Sequence, residues 1–302
     1  SERPVIKEGE PQPRFSAPAV AKIHRLVAAH VQKRMDESSH SQAVKNVAEV
    51  FDKKQKDLEA KWQHDPSIIW VMRSFGDNAI HLARGYPQEL TFAIGCGVLG
   101  QAEMTTGSIA NAQRLTDQCV RSLRFSYEKN KADQEASRLF SAALSDQGSF
   151  YLARGKSGDA ELALGHFQES LDIARQIAEA NPNSAQALRD LLVSLGRLSD
   201  ILGSTESDDA KKNSLALQTQ ALEIALNLHQ SNPGNLYLGR TAAITAIRAY
   251  EKSRLIGQDN LGGQCLGACY TVLKTLVDNG CQLDEQMEQT YQQLKQAFTQ
   301  GQ

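Results

Sequence analysis

SLDIARQIAEANPNSAQALRDLLVSLGRLSDIL, residues Ser170–Leu202, holds one helical stretch, a break at Asn181-Pro182 and a second helical stretch. The break recurs. Asn130, Asn181 and Asn232 are spaced by 51 residues. The same shift aligns Arg138 with Arg189 and Arg240, Leu144 with Leu195 and Ala246, and Arg197 with Arg248. It also aligns Leu171 with Leu222, Ile173 with Ile224, Ala174 with Ala225, and Asp200 with Glu251. Pro182 and Pro233 fill one slot, which Lys131 takes in the first copy. A fixed period with its breaker in a fixed slot marks a solenoid. A 51-residue unit has room for two helices of roughly 20 residues with short joints.

The joint has a chemical logic. Asn tolerates the left-handed conformation that ends a helix, and Pro cannot continue one. Asn183 and Ser184 offer side-chain oxygens to cap the next helix. A helix pair of this kind cannot bury its apolar face alone, so neighbours must stack on it. Small residues such as Ser170, Ala174 and Ala225 permit close helix approach.

The rest of the chain agrees with an all-α fold. Of only 8 prolines, Pro4, Pro11, Pro13 and Pro18 precede the first periodic segment. No period-2 strand or Asn-Gly hairpin is found. The rhythm divides into six helix pairs, roughly 17–62, 67–105, 108–154, 159–204, 208–255 and 261–300. The expected organisation is a flexible lead-in at 1–16, an irregular helical cap at 17–107, repeats at 108–255 and a capping helix pair at 256–302. In that last pair Leu283, Met287, Tyr291, Leu294 and Phe298 share a helix face, and Gln289, Gln292, Gln293 and Gln296 lie opposite.

Charge narrows the partners. Lys and Arg number 33 and Asp and Glu 35, a net charge of −2, which argues against a dedicated nucleic-acid binder. The basic patch Lys53-Lys54-Gln55-Lys56 is interrupted by Asp52 and Asp57, as on a solvated helix face. The apolar run Ile68–Met72 is far too short to span a bilayer. No basic-then-apolar leader opens the chain, whose first residue is Ser, consistent with a piece of a longer protein. Five cysteines, Cys96, Cys119, Cys265, Cys269 and Cys281, make no paired framework. They are expected to be reduced thiols in a cytoplasmic protein.

Four features tempt a chemical reading. Gly95-Cys96-Gly97-Val98-Leu99-Gly100 matches G-x-G-x-x-G, with Asp117 further on, as in a dinucleotide fingerprint. Against it, Pro87-Gln88-Glu89-Leu90 reads as a helix start and no second strand follows, so glycines that let helices approach closely are the favoured reading. The seven histidines form no H-E-x-x-H pair. Cys265 and Cys269 share a helix face as core thiols do, with redox sensitivity or metal binding as the other readings. Arg138, Arg189 and Arg240 form a ladder that either binds anions or pairs with carboxylates such as Glu135 and Asp190, the latter being favoured. Neither a P-loop nor a G-x-S-x-G elbow occurs. No enzyme activity, cofactor or metal is expected.

On Ser170-Leu171-Asp172-Ile173, Ala178, Asn181-Pro182, Arg189-Asp190-Leu191, Val193-Ser194-Leu195, Arg197-Leu198 and Asp200-Ile201-Leu202, the chain resembles the tetratricopeptide repeat family. The likeness is to the longer-period variety common in large bacterial proteins, and recurs at Ala221-Leu222-Glu223-Ile224, Asn232-Pro233, Arg240 and Arg248. It departs from the 34-residue pattern of that family in its longer helices and in the extended segment Gly203–Asp209. The resemblance implies a right-handed α-solenoid whose concave face binds a protein or peptide, as a scaffold or regulatory subunit. On the first helix of each pair, Arg121, Arg124, Asp172, Gln176, Glu223 and Asn227 are the candidate partner-binding residues. The alternative is a small-ligand or nucleotide sensor using Gly95–Gly100 or the arginine ladder.

Overall fold

A computed structural model describes Arg73, Gly76, Asp77, Ile80 and residues 90–300, except for the side chains of Leu90, Thr91, Thr299 and Gln300. The expected lead-in at 1–16, most of the expected cap at 17–107 and the Lys53–Lys56 patch lie outside the described residues. Nine helices and no strand occur among the described residues, and the chain divides after Ser108 into two units.

In the first unit, α1 (Leu90–Thr105) runs unbroken through Gly95, Gly97 and Gly100. The G-x-G-x-x-G segment is therefore helix interior, with neither the strand nor the phosphate-cradling turn that a dinucleotide fingerprint requires. The small residue beside it is Gly76, on which a Cβ would come within 2.7 Å of Leu99 Cβ and 2.9 Å of the Gly95 carbonyl oxygen.

The second unit is an α-solenoid. Its helices are α2 (Ile109–Lys129), α3 (Gln134–Arg154), α4 (Asp159–Ala180), α5 (Ala185–Gly203), α6 (Asp208–Ser231), α7 (Leu236–Leu255), α8 (Asp259–Asp278) and α9 (Glu285–Gln300). Each packs on its neighbours in sequence. The 51-residue period is visible in the core: Val120, Leu171, Leu222 and Leu273 are all buried, as are Leu123, Ala174, Ala225 and Leu276.

The three Asn joints share one construction. Asp133, Ser184 and Asn235, again one period apart, are the N-caps of α3, α5 and α7 and accept from the backbone N–H of Ala136, Ala187 and Leu238. In each joint the N-cap N–H donates back to the carbonyl of the Asn three residues earlier, at 3.0 Å. The left-handed conformation expected of these asparagines does not occur. Asn181 has φ −137° and Asn232 φ −150°, and no described non-glycine residue has positive φ. At Asn181 and Asn232 the cause is the following proline, whose Cδ drives the preceding residue toward extended backbone. Asn181 still serves the helix end, by donating its side-chain Nδ2–H to the Ile177 carbonyl. Left-handed backbone falls instead in the other joints, at Gly155 and Gly158 before α4 and Gly257 before α8.

Helices meeting across those other joints pack closely through small side chains. Ser141 and Ser170 each donate to the other's backbone carbonyl, binding α3 to α4, and Ser199 and Ser214 repeat this between α5 and α6. These hydroxyls satisfy themselves on backbone carbonyls within the core, which removes the cost of burying them. At the C-terminal end Met287, Tyr291 and Leu294 of α9 are buried, while Phe298 is half-exposed with its ring 5.5 Å from that of Tyr270.

Candidate interaction surface

The first helices α2, α4 and α6 carry all six candidate partner-binding residues. Arg121, Asp172 and Glu223 share one repeat position, and Gln176 and Asn227 share another, which Phe125 fills in α2. All of these are exposed. Asp172 accepts from Gln168 on its own helix, and Gln176 accepts from the Tyr127 hydroxyl at 3.5 Å. Arg124 differs. Its guanidinium forms a two-pronged bridge to Glu169 on α4 (2.6 and 2.8 Å) and lies 4.9 Å from the centre of the Phe140 ring. It spans adjacent first helices and is half-buried.

Between α2 and α4, over α3, lies a polar cluster that sequence reasoning did not single out. At one end Arg154 bonds bidentately to Asp159 and donates to Gln113 Oε1 at 2.7 Å. This pairing holds the Asp159 carboxyl down at about 2, well below the carboxylate range. In the middle Gln147 donates to Asp117 Oδ1 at 2.6 Å. The Tyr151 and His166 rings stack there at 5.5 Å, inclined by only 1°. Burial, then the negative charge of Asp117, raises the Tyr151 phenol, and burial lowers the His166 imidazole. The Arg124–Glu169 bridge follows, and Tyr127 with Gln176 lies beyond it. A signal for the cluster was present in the repeat: Gln147 stands where later copies have Leu198 and Ala249, and His166 where others have Leu115, Leu217 and Ala268.

The arginine ladder on the second helices is spoken for by local partners. Arg138 pairs with Glu135 (3.1 Å), Arg189 donates to Gln186 and Arg240 pairs with Asp284 (2.9 Å). Arg248 and Lys252 of α7 both reach Asp200 of α5, tying successive repeats. Asp190 accepts from Gln186, and burial raises its carboxyl pKa. Cys265 and Cys269 are buried, and burial pushes the Cys269 thiol up to about 12, the opposite of a reactive thiolate. Among the described residues no three His, Cys, Asp or Glu side chains converge as metal ligands, and no helix is long and apolar enough to cross a membrane.

No protein-family profile matches the sequence, and no curated protein matches it. Solved structures do resemble it. BtubC (BKLC) from P. vanneervenii superposes with a TM-score of 0.54 at 15% identity, covering 88% of this chain and 92% of that one. The de novo designed helical repeat protein DHR64 gives a TM-score of 0.38 at 16% identity, over 72% of this chain and 99% of its own. A circular tandem repeat protein gives 0.27 at 14% identity, over 91% and 68% respectively. At such identities the BtubC likeness speaks for the helical fold alone.

Proposed function

We propose that this chain is a non-enzymatic interaction scaffold or regulatory subunit of the tetratricopeptide type, working in the cytoplasm, which holds a segment of a partner protein on its first-helix face. One observation carries the reading: the same repeat position is presented to solvent three times in succession, as Arg121, Asp172 and Glu223. Side chains repeated along stacked helices offer evenly spaced contacts to an extended or helical partner segment. Their charges, one positive followed by two negative, suit selection among partners, since a mismatched charge is penalised. Gln176 and Asn227 add hydrogen-bonding groups one turn further along.

The test is site-specific photo-crosslinking. A benzophenone amino acid placed at position 172, 176, 223 or 227 should capture one and the same protein from the organism's own extract. The same probe at Arg197 or Arg248, on second helices, should capture none of it. Charge reversal at Asp172 and Glu223 together should abolish capture while leaving the unfolding midpoint unchanged. Capture at the second-helix positions alone would overturn the assignment of the face.

A further inference from the structure

Gln147 sits at a position that the repeat builds as core, for its equivalents Leu198 and Ala249 are buried. Tyr151 and His166 likewise replace Leu202 and Leu217 of the next copy. A buried amide is tolerated when its hydrogen bonds are met. Gln147 meets them only at its nitrogen. Its Nε2–H donates to Asp117, while its Oε1, in a residue only 4% exposed, has no partner among the described residues.

The surrounding charges leave the same deficit. Asp117 forms no ion pair among the described residues. The nearby guanidiniums of Arg124 and Arg154 each already spend two nitrogens on Glu169 and Asp159 respectively, and the third nitrogen of Arg154 goes to Gln113. Arg121, one turn along from Asp117, is exposed and makes no ion pair with it. The cluster therefore sets three carboxylates against two guanidiniums, with one amide oxygen unmet. It has one more carboxylate than guanidinium, and an amide oxygen that no donor of the cluster meets, the Tyr151 phenol and the His166 ring included.

We infer that this cluster between α2 and α4 is a seat for a cationic side chain, Arg or Lys, carried by the partner polypeptide, whose N–H groups are taken by Asp117 and the Gln147 oxygen. The inference rests on the first-helix face being the interaction surface. An anion would meet the Asp117 charge, and an apolar side chain would leave that charge unpaired and the Gln147 oxygen without a donor. A cation meets both, through charge-assisted hydrogen bonds. Its backbone would then lie along the face that Arg121 and Asp172 border.

The experiment titrates the isotope-labelled full chain with the capped peptide Ac-Ala-Arg-Ala-NH2, and separately with methylguanidinium, at fixed ionic strength. Saturable NMR shifts of the Gln147 side-chain amide and the His166 ring are expected, with the peptide binding about tenfold more tightly than methylguanidinium. Asp117→Asn should weaken the peptide by about tenfold or more. Gln147→Met, which removes the orphan acceptor and keeps the core filled, should weaken it too without lowering the melting temperature. Absence of saturable shifts, or unchanged affinity in Asp117→Asn, overturns the seat. Methylguanidinium binding as tightly as the peptide would assign a free small cation and overturn the polypeptide source. Crosslinking from positions 172 and 223 is scored separately, so a surface that captures its partner while the seat stays silent loses only this inference.

Discussion

His229 is 4% exposed, and neither of its ring nitrogens has a hydrogen-bond partner among the described residues. Burial lowers its pKa from the ordinary 6.5, which keeps the ring neutral at neutral pH. His166 is lowered in the same direction by burial and by Arg124, against the pull of Glu169 and Asp117. Between the lowered folded pKa and 6.5 the unfolded chain holds more protons than the folded one, so stability falls as pH drops through that window. His229→Leu removes two orphaned polar atoms and is expected to raise stability by about 1–2 kcal/mol. It should also flatten the pH dependence between about pH 7 and pH 5, leaving the share due to His166. Urea unfolding at both pH values reads both effects, and an unchanged midpoint with an unchanged slope would refute them. Gly148 makes the opposite kind of residue-scale statement. A Cβ there would lie 2.8 Å from Cε1 of Phe167, a ring that is 2% exposed. Gly148→Ala should therefore destabilise by about 1–3 kcal/mol, against the ~1 kcal/mol that helix propensity favours. Adding Phe167→Leu should recover part of the loss relative to the single variant.

At the scale of the element, the joints decide where each helix begins. The Asn235 side chain accepts from the Leu238 N–H at 3.1 Å, and Ser184 and Asp133 do the same one and two periods earlier. Asn235→Ala should cost about 1 kcal/mol and Asn235→Ser much less. Equal losses for the two substitutions would refute the cap. These joints were legible because a proline slot and a capping residue are local signals that recur at the same spacing. The backbone at Asn181 was misjudged for a local reason too: the steric effect of Pro182 on its predecessor outweighs the tolerance of Asn for left-handed backbone. Contacts between helices were less legible. Arg124 meets Glu169 45 residues away and Asp117 meets Gln147 30 residues away, separations unrelated to the 51-residue period. The period places residues on equivalent positions, but which side chains touch depends on how far one helix slides along the next. What remained readable was the exception, a Gln and a His at positions that other copies fill with apolar residues.

At the scale of the whole chain, the repeat makes a deletion testable. Removing residues 182–232, one period of 51 residues, joins Asn181 to Pro233 and restores an Asn-Pro joint capped by Asn235. The helix before the new joint is α4 and the helix after it is α7, which are the repeat equivalents of α6 and α5. The buried column loses Leu222 and keeps Val120, Leu171 and Leu273 in order. In a solenoid each repeat contacts chiefly its neighbours, so stability is close to a sum of unit and interface contributions. The in-register deletion should therefore keep its helical circular dichroism and a cooperative unfolding transition. Its denaturant slope should fall with the surface that is no longer buried. A shorter deletion of residues 186–226 joins Ala185 directly to Asn227, leaving of α5 and α6 only Ala185 and Asn227–Ser231 between two Asn-Pro joints, too short a stretch to stack as a helix. It should lose cooperativity. If the two deletions unfold alike, or if the shorter one is the more stable, stacking in the second unit does not follow the 51-residue register.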